Sequence, residues 1–538
     1  MYKVQLKEAY FWPNDDEVLI DTTVGNLLRD IATSYPSQVA FVDIDEDGSA
    51  TQQWTYRELL KDSEELAFAL STRFVKGDKV VVWAPNIPEW ILMEYACGLA
   101  GLILVTANPS FQSQELTYVL EQSRAKGLFL ISEFRGNPMA EIAKEATKNN
   151  KTITEITDLR DKKKLHQHGE KNPDLPEIFP EDPVQIQYTS GTTGFPKGAI
   201  LSHTGLVNNA RLFCNRKKVS SSSVWSNFMP LFHTAGCATG TLGCLQAACK
   251  MLLIKKFDAK IFAKLIEEQG VTTCFAVPTM LFALLEELEK TPRDVSSLEV
   301  ISTGGAPVPP ELVRRVRESL GCHLLTAFGQ TEHSPMISLN PLESTLEQII
   351  ETAGQPLPHT EVSIRAVENN QMVPVDSVGE ICARSYGIML KYNDNEGATS
   401  AAIDPDGWLH TGDLGTIDKD GFIRVTGRIK DMIIKGGENY FPAEIEATLI
   451  MNPDIIQVSV VGLPDHKWGE IIAAFFISNS TVNIKSLRDH CRKNLSPQKT
   501  PSTWVRVLEF PLTASGKIQK FSLREKYLEG NYGEKLEF

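Results

Sequence analysis

The sequence predicts an α/β protein: a large N-terminal domain of two β/α layered subdomains plus a small β-barrel-like subdomain, followed by a small mobile α+β C-terminal domain. Three observations predict it. Amphipathic stretches alternate with short apolar runs from Asp21 to about Pro180 and again from Val224 to Phe328, the pattern of helices laid on parallel sheets. After Ile350 the texture turns to short strands broken by turns. From Lys430 a compact mixed pattern restarts, which places the domains at residues 1–429 and 430–538.

Taken in order, TYRELLKDSEELAFALSTRF reads as an amphipathic helix, and VVVWA and GLFLIS read as short strands. WILMEYACGLAGLILV, from Trp90 to Val105, carries Glu94 and falls short of the ~20 apolar residues of a membrane span, so it reads as a helix running into a strand. The polar stretch DLRDKKKLHQHGEKNPDLPE, residues 158–177, has no period and reads as a surface excursion with solvated histidines. The second series runs NFMPLF, a small-residue helix, MLLI, a helix from Asp258 to Gln269, TTCFAV, a helix after Pro278, LEVIS, a helix after Pro309, and HLLTAF. In GWLHTGDLGTIDKDGFIRVTGR, the IDKDGFI segment reads as a hairpin turn at Gly421. With Asp418 and Asp420 at the third and fifth positions of a calcium loop, the twelfth would be Gly427 instead of a bidentate Glu. Beyond Lys430, IIQVSVVGLPD and EIIAAFFIS read as strands and NIKSLRDHCRKNL as a helix.

Composition narrows the function classes. The chain of 538 residues is 42% apolar and 23% charged, values of a soluble globular protein. A net charge of -14 argues against a dedicated nucleic-acid binder, which recruits phosphates with a basic face; acidic substrates then need a local positive site. Nine cysteines occur without a CxxC pair, so reduced thiols are expected, not disulfides or zinc. The N-terminus lacks the basic patch and apolar core of a signal peptide, and the ending EKLEF is no retention or peroxisomal signal. A cytoplasmic protein with no integral membrane segment is the expectation. Self-association is left open.

YTSGTTGFPKG, residues 188–198, carries three glycines, four Ser/Thr hydroxyls and Lys197. It is not the general phosphate loop GxxxxGK[ST]: counted from Gly191, the second glycine falls on Pro196, and Lys197 precedes Gly198. The AILS that follows is strand-like, so the order is strand, loop, strand. Such a hairpin can still curl its amides at Gly191, Gly194 and Gly198 around an anion, with Thr189, Ser190, Thr192 and Thr193 as hydroxyl donors and Lys197 as the charge.

The whole set resembles a known family. IQYTSGTTGFPKG is similar to the phosphate-loop signature of the adenylate-forming superfamily, which includes acyl- and aryl-CoA synthetases, luciferases and the adenylation domains of peptide synthetases. PLFHTAG (230–236), STGGAP (302–307), AFGQTE (327–332), GWLHTGD (407–413), GRIKDMIIKGGENYFPAEIE (427–446) and PLTASGKIQK (511–520) follow in the family's order. The resemblance implies a two-step reaction: a carboxylate attacks the α-phosphate of ATP, giving acyl-AMP and pyrophosphate, and a thiol, usually coenzyme A, then takes the acyl group. It implies Mg2+ held by Glu332, Thr331 on the α-phosphate, and adenine lying against Gly304, Gly305, Ala306 and Pro307 with Phe328 on its other face and Gly329 and Gln330 beside it. The family often has tyrosine where Phe328 stands; stacking survives that change and a phenol hydrogen bond does not. Asp413 and Arg428 are implied at the ribose, or else form an ion pair. Lys517 is implied to neutralise charge between acyl carboxylate and phosphate, worth at least ~10² in rate. Lys430 matches the family hinge, and Gly436, Gly437 and Glu438 match the coenzyme A channel.

The same resemblance puts His233 at the mouth of an acyl pocket. Gly236, Gly240 and Gly243 fall four and three apart and share one helix face, which either leaves a tunnel for an alkyl chain or lets the helix approach a sheet. No charged side chain occurs in that stretch, which favours a neutral apolar tail and hence a fatty acid, and the resemblance implies one of medium to long chain. An aryl-CoA ligase of the coumarate type, or an adenylating enzyme that delivers to a carrier protein, are the alternatives.

Overall fold

A computed structural model describes residues 1–12, 17–169, 174–189, 196–478, 482–512 and 518–532. The chain divides into two units, one of 1–3, 11–362 and 383–409, the other of 4–10, 363–382 and 410–538.

The first unit is built on two large sheets. One has nine strands in the order Gln355–Pro356, Met336–Leu339, His323–Gly329, Val300–Gly304, Thr273–Ala276, Val224–Asn227, Lys250–Ile254, Val39–Ile44 and Ala50–Thr55. Its six strands from His323–Gly329 to Val39–Ile44 run parallel. The other has seven, in the order Lys391–Tyr392, Lys197–Ser202, Pro183–Thr189, Ile103–Ala107, Lys79–Trp83, Gly127–Leu130 and Glu155–Asp158. Its five strands from Pro183–Thr189 onward run parallel.

Local chemistry explains the helices that cover them. Tyr56–Ser71 starts at a capping box of Thr55 and Glu58; Ala259–Gln269 is capped by Asp258 and stopped by Gly270 at φ 63°. Pro88–Ala100 opens with proline, closes on Gly101 at φ 66°, and is buried from Trp90 to Ala100, as a helix apolar all round must be. It leads straight into the strand Ile103–Ala107, so WILMEYACGLAGLILV is a buried helix and strand. No helix among the described residues is long and apolar enough to cross a membrane.

Two departures from the local pattern matter. The hairpin Val39–Thr55 comes from the first β/α series and joins the sheet of the second through Lys250–Ile254. The polar excursion contains a helical turn, Lys162–Leu165, capped by Asp161, and its His166 is partly buried.

Four of the short strands after Ile350 join Tyr10–Phe11 in a five-stranded sheet ordered Tyr10–Phe11, Thr360–Arg365, Gly379–Ser385, Leu409–Ile417 and Ile423–Arg428. Its last two strands meet in the expected hairpin, where the Asp418 carboxylate accepts from the amides of Asp420 and Phe422 and Gly421 takes φ 80°. In the second unit a further sheet places Gly469–Ser478 between Ile433–Lys435 and Ile455–Asp465, with Thr503–Arg506 also paired to it. Ile445, Leu449, Leu487 and Trp504 fill the core against it.

Candidate active site

Two of the signature turns leave the same edge of the nine-stranded sheet. Val300–Gly304 and His323–Gly329 are parallel neighbours with Gly304 opposite Ala327, so STGGAP and AFGQTE both turn at carboxyl ends of strands, where ligands of α/β sheets gather. Gly304 is required by contact, since a Cβ there would lie 2.5 Å from the Ala327 carbonyl oxygen. Gly305 is required by conformation, with φ 78°. Gly305, Ala306 and Pro307 are exposed, while the Phe328 side chain keeps only 8% of its surface open.

The turn after Phe328 is tightly built. A Cβ on Gly329 would fall 2.1 Å from the Pro335 carbonyl oxygen, and the Gln330 amide donates to that same oxygen at 2.9 Å. Asn209 holds the far side, accepting from the Met336 amide and donating to its carbonyl at 2.9 and 2.7 Å. His333 is fully buried, and burial pushes its pKa down to about 4. Its Nδ1 lies 2.9 Å from the Met336 carbonyl and its Nε2 lies 2.7 Å from Ser385 Oγ. A carbonyl only accepts, so the neutral ring carries its proton on Nδ1.

Between these anchors, Thr331–His333 forms one short 3-10 turn that presents Thr331 and Glu332, both partly buried. Tyr392 donates its phenol hydrogen to Glu332 Oε1 at 2.7 Å, and the Met389 amide donates to the Glu332 carbonyl at 2.8 Å. Lys197 Nζ stands 5.0 Å from the centre of the Tyr392 ring, within cation–π range. A carboxylate oxygen, a phenol and an ammonium are thus collected around one point. The Glu332 carboxylate is an oxygen donor of the kind that suits magnesium, which takes few protein ligands. Tyr392 has no sequence signature; it lies 60 residues from its partner.

Tyr392 also belongs to the strand beside the opening hairpin: Lys391 and Tyr392 pair with Ile200 and Ala199. In that hairpin Thr189 pairs with Lys197 and Tyr188 with Gly198, which gives the expected strand, loop, strand. Ser190, Gly191, Thr192, Thr193 and Gly194 lie outside the described residues, as does Lys517.

The segment after His233 is helical, and it is a π-helix, Ala235–Leu242, buried throughout. His233 starts it, its carbonyl accepting from the Gly236 and Cys237 amides and its Nδ1 accepting from the Ala235 amide at 3.3 Å. A Cβ on Gly236 would fall 2.2 Å from the Pro230 carbonyl oxygen, and one on Gly240 would fall 2.3 Å from Asn227 Nδ2. Gly236 and Gly240 are therefore covered by the end of the strand Val224–Asn227 and the loop after it, and a Cβ on Gly243 would meet Cys214 Sγ at 2.9 Å, which decides for close approach over an alkyl tunnel along that face.

In the second unit, Asp413 and Arg428 sit opposite each other on paired strands, and Arg428 Nε lies 2.8 Å from Asp413 Oδ1. Lys430 is exposed within the 3-10 turn Ile429–Asp431. Gly436 and Gly437 take φ 64° and 84°, and a Cβ on Gly436 would meet the Trp468 ring at 3.0 Å. The Glu438 carboxylate accepts from the Tyr440 hydroxyl at 2.6 Å. Glu380, Cys382 and His410 each bring a ligand atom within 4.8 Å of the others, and the close pair among them, His410 Nδ1 and Glu380 Oε2 at 2.8 Å, is accounted for by a hydrogen bond.

Comparison with known proteins converges on one family. Residues 28–393 match the AMP-binding enzyme family and residues 444–517 its C-terminal domain. The putative acyl-CoA synthetase YngI of Bacillus subtilis is 35% identical over 95% of this chain and 98% of its own length. The human medium-chain acyl-CoA ligase ACSF2, mitochondrial, is 33% identical over 94% of this chain and 87% of its own. The o-succinylbenzoate CoA synthetase MenE of Bacillus subtilis, in complex with the acyl-adenylate OSB-AMP, superposes with TM-score 0.83 at 28% identity, covering 97% of this chain and 100% of MenE. The same enzyme with ATP and a magnesium ion gives 0.80 at 28% identity, covering 93% and 99%. With both family models matched in order, and relatives above 30% identity spanning nearly its whole length, the chain belongs to the AMP-binding enzyme family.

Proposed function

We propose that the chain is an AMP-forming acyl-CoA synthetase that activates a medium- to long-chain fatty acid. The observation that carries adenylation is the collection of Glu332, Tyr392 and Lys197 beside two glycine turns at the carboxyl edge of one parallel sheet. Support for an apolar tail is the segment from Thr234 to Ala248, which carries no charged side chain, together with the likeness to medium-chain ligases. Likeness to MenE favours an aryl acid as the second reading.

In the first step a carboxylate oxygen attacks the α-phosphorus of ATP, and the bond to the bridging oxygen of pyrophosphate breaks. Negative charge grows on phosphate oxygens, so preorganised donors there lower the barrier. Ser190 to Gly194, Lys197 and Thr331 are the proposed donors, and Lys517 the proposed cation between carboxylate and phosphate. Glu332 would hold magnesium, which when bound supplies charge neutralisation across the phosphates. The Tyr392 hydrogen bond fixes Glu332 Oε1, which orients the carboxylate without consuming its charge. Gly304 to Pro307 and Phe328 are proposed at adenine, Asp413 and Arg428 at the ribose, and His233 at the acyl mouth.

In the second step the sulfur of coenzyme A attacks the acyl carbon, AMP leaves, and the thiol proton is lost to solvent. We place the domain boundary between residues 429 and 430, with Lys430 as hinge and Gly436, Gly437 and Glu438 along the thiol channel. All nine cysteines are buried and none is in a disulfide, in keeping with a reducing, cytoplasmic setting. The test is incubation with ATP, magnesium and a panel of acids, with and without coenzyme A, and identification of products by mass. Fatty acyl thioester is expected. Thioester only with aryl acids, or acyl-AMP whatever thiol is offered, would overturn the fatty acyl reading.

A further inference from the structure

Glu94 is buried to 1% exposure inside the buried, mostly apolar helix Pro88–Ala100, and no step above uses it. A carboxyl group in such a place must have its polar atoms satisfied or stay neutral. Its surroundings do both. Gln185 Nε2 donates to Glu94 Oε1 at 2.7 Å, and Glu94 Oε2 lies 2.7 Å from Thr241 Oγ1. Gln185 Oε1 accepts from Gln187 Nε2 at 3.0 Å, and Gln187 Nε2 lies 3.2 Å from Cys237 Sγ. Thr241 in turn donates to the Cys237 carbonyl. The contacts close into a ring that passes from the π-helix Ala235–Leu242 through Glu94 to the strand Pro183–Thr189 and back.

The protons available around Thr241 favour the un-ionised acid. Thr241 has one hydroxyl proton and two oxygen neighbours, the Cys237 carbonyl and Glu94 Oε2. A carbonyl can only accept, and a carboxylate likewise, so with Glu94 ionised the single Thr241 proton serves only one of the two contacts. With Glu94 un-ionised both are served, Thr241 donating to the Cys237 carbonyl and the carboxyl to Thr241. The titratable groups facing Glu94 are Tyr95 and Cys97 on its own helix and Cys237 on the π-helix, and none is a cation. Burial acts in the same direction, pushing the Glu94 pKa up to about 8 against the lowering by the Thr241 and Gln185 hydrogen bonds.

We propose that Glu94 works as an un-ionised carboxylic acid that locks the π-helix Ala235–Leu242 to the strand Pro183–Thr189, and so is a positioning residue for the acid-binding side of the reaction. The positioning role rests on the reading of residues 233–240 as the acyl side; the lock itself does not. Threonine back-bonding to the carbonyl four residues before it also gives the π-helix a local reason to keep its wide turn, since that carbonyl is satisfied by a side chain.

The test uses the full chain with Thr241→Val, which keeps the side-chain shape, with Glu94→Leu, and with Glu94→Gln as the conservative variant. Lauric acid, ATP, magnesium and coenzyme A are the substrates, and backbone hydrogen exchange over residues 235–242 is followed in parallel. Thr241→Val and Glu94→Leu are expected to raise KM for the acid about tenfold, the scale of one lost hydrogen bond to a buried group, with KM for ATP unmoved, and to speed exchange over 235–242 by about as much. Glu94→Gln is expected to restore both, because its carboxamide donates through Nε2 to Thr241 and accepts through Oε1 from Gln185. Wild-type exchange over 235–242 in folded Thr241→Val overturns the lock. Faster exchange with an unchanged acid KM keeps the lock, and overturns the acyl-side reading with the positioning role built on it. A Glu94→Gln variant as impaired as Glu94→Leu overturns the un-ionised state.

Discussion

Replacing Glu94 by glutamine should change how the stability of the protein depends on pH, and the size of the change follows from the site. The ordinary pKa of a glutamate is 4.5, and burial of Glu94 raises it to about 8. Between those values the folded chain keeps the Glu94 proton while the unfolded chain releases it. Stability therefore falls as pH rises through this window, and the loss is complete above the folded value. Each pH step within the window costs about 1.4 kcal/mol, so between pH 5 and pH 7 the wild type should lose about 3 kcal/mol that the glutamine variant keeps. Other titrating groups are common to both proteins and cancel in the difference. Urea unfolding followed by tryptophan fluorescence at intervals from pH 5 to pH 8 measures it: the gap between variant and wild type should widen steadily in favour of the variant. Parallel curves across that range would show that Glu94 is already ionised in the fold, and the proton count around Thr241 would be wrong.

Three further outcomes concern the reaction itself. Tyr392→Phe removes the hydrogen that Glu332 Oε1 accepts; hydrogen bonds to charged groups are worth about 1.5–3 kcal/mol. ATP–pyrophosphate exchange should therefore slow about tenfold or more and need more magnesium for half saturation, and unchanged magnesium dependence would remove Tyr392 from the site. Lys517→Ala should abolish acyl-AMP formation by at least ~10² while leaving conversion of supplied acyl-AMP to thioester. Gly437→Trp, at a backbone of φ 84° that disfavours any side chain, should do the reverse, and damage to the same half-reaction by both would refute the division of the two steps between Lys517 and the thiol channel.

The legible part of the fold is the part written locally. The helices from Ala259–Gln269 to Pro310–Leu320 appear in the chain as periods of 3.6 opened by Asp258 or proline, and the strands between them as short runs buried on both faces, and the motif glycines at 304 and 329 mark close approaches that the backbone imposes. Partnerships across long stretches of chain left no such trace. Nothing near Val39 announces that its hairpin pairs with Lys250–Ile254, and nothing near Tyr392 announces Glu332. The spacing of Gly236 and Gly240 admits two packings, and only the position of Asn227 and Pro230 separates them. Glu94 reads in sequence as an interruption of an apolar run, because a buried acid is intelligible only beside the groups that share its proton. For the same reason the polar excursion hid one helical turn, whose sole buried side chain is Leu165.

The two-residue strand Lys391–Tyr392 has a mechanical meaning. Side chains along a strand alternate between faces, so slipping its pairing with Ala199 and Ile200 by one position would swing the tyrosine ring to the opposite side. That single step would strip Glu332 of its hydrogen donor and Lys197 of its aromatic neighbour together. Insertions or deletions in the connection just before Lys391 should thus be far more damaging than their distance in sequence from either residue suggests, since the edge of this sheet acts as the gauge that sets cation and carboxylate against each other.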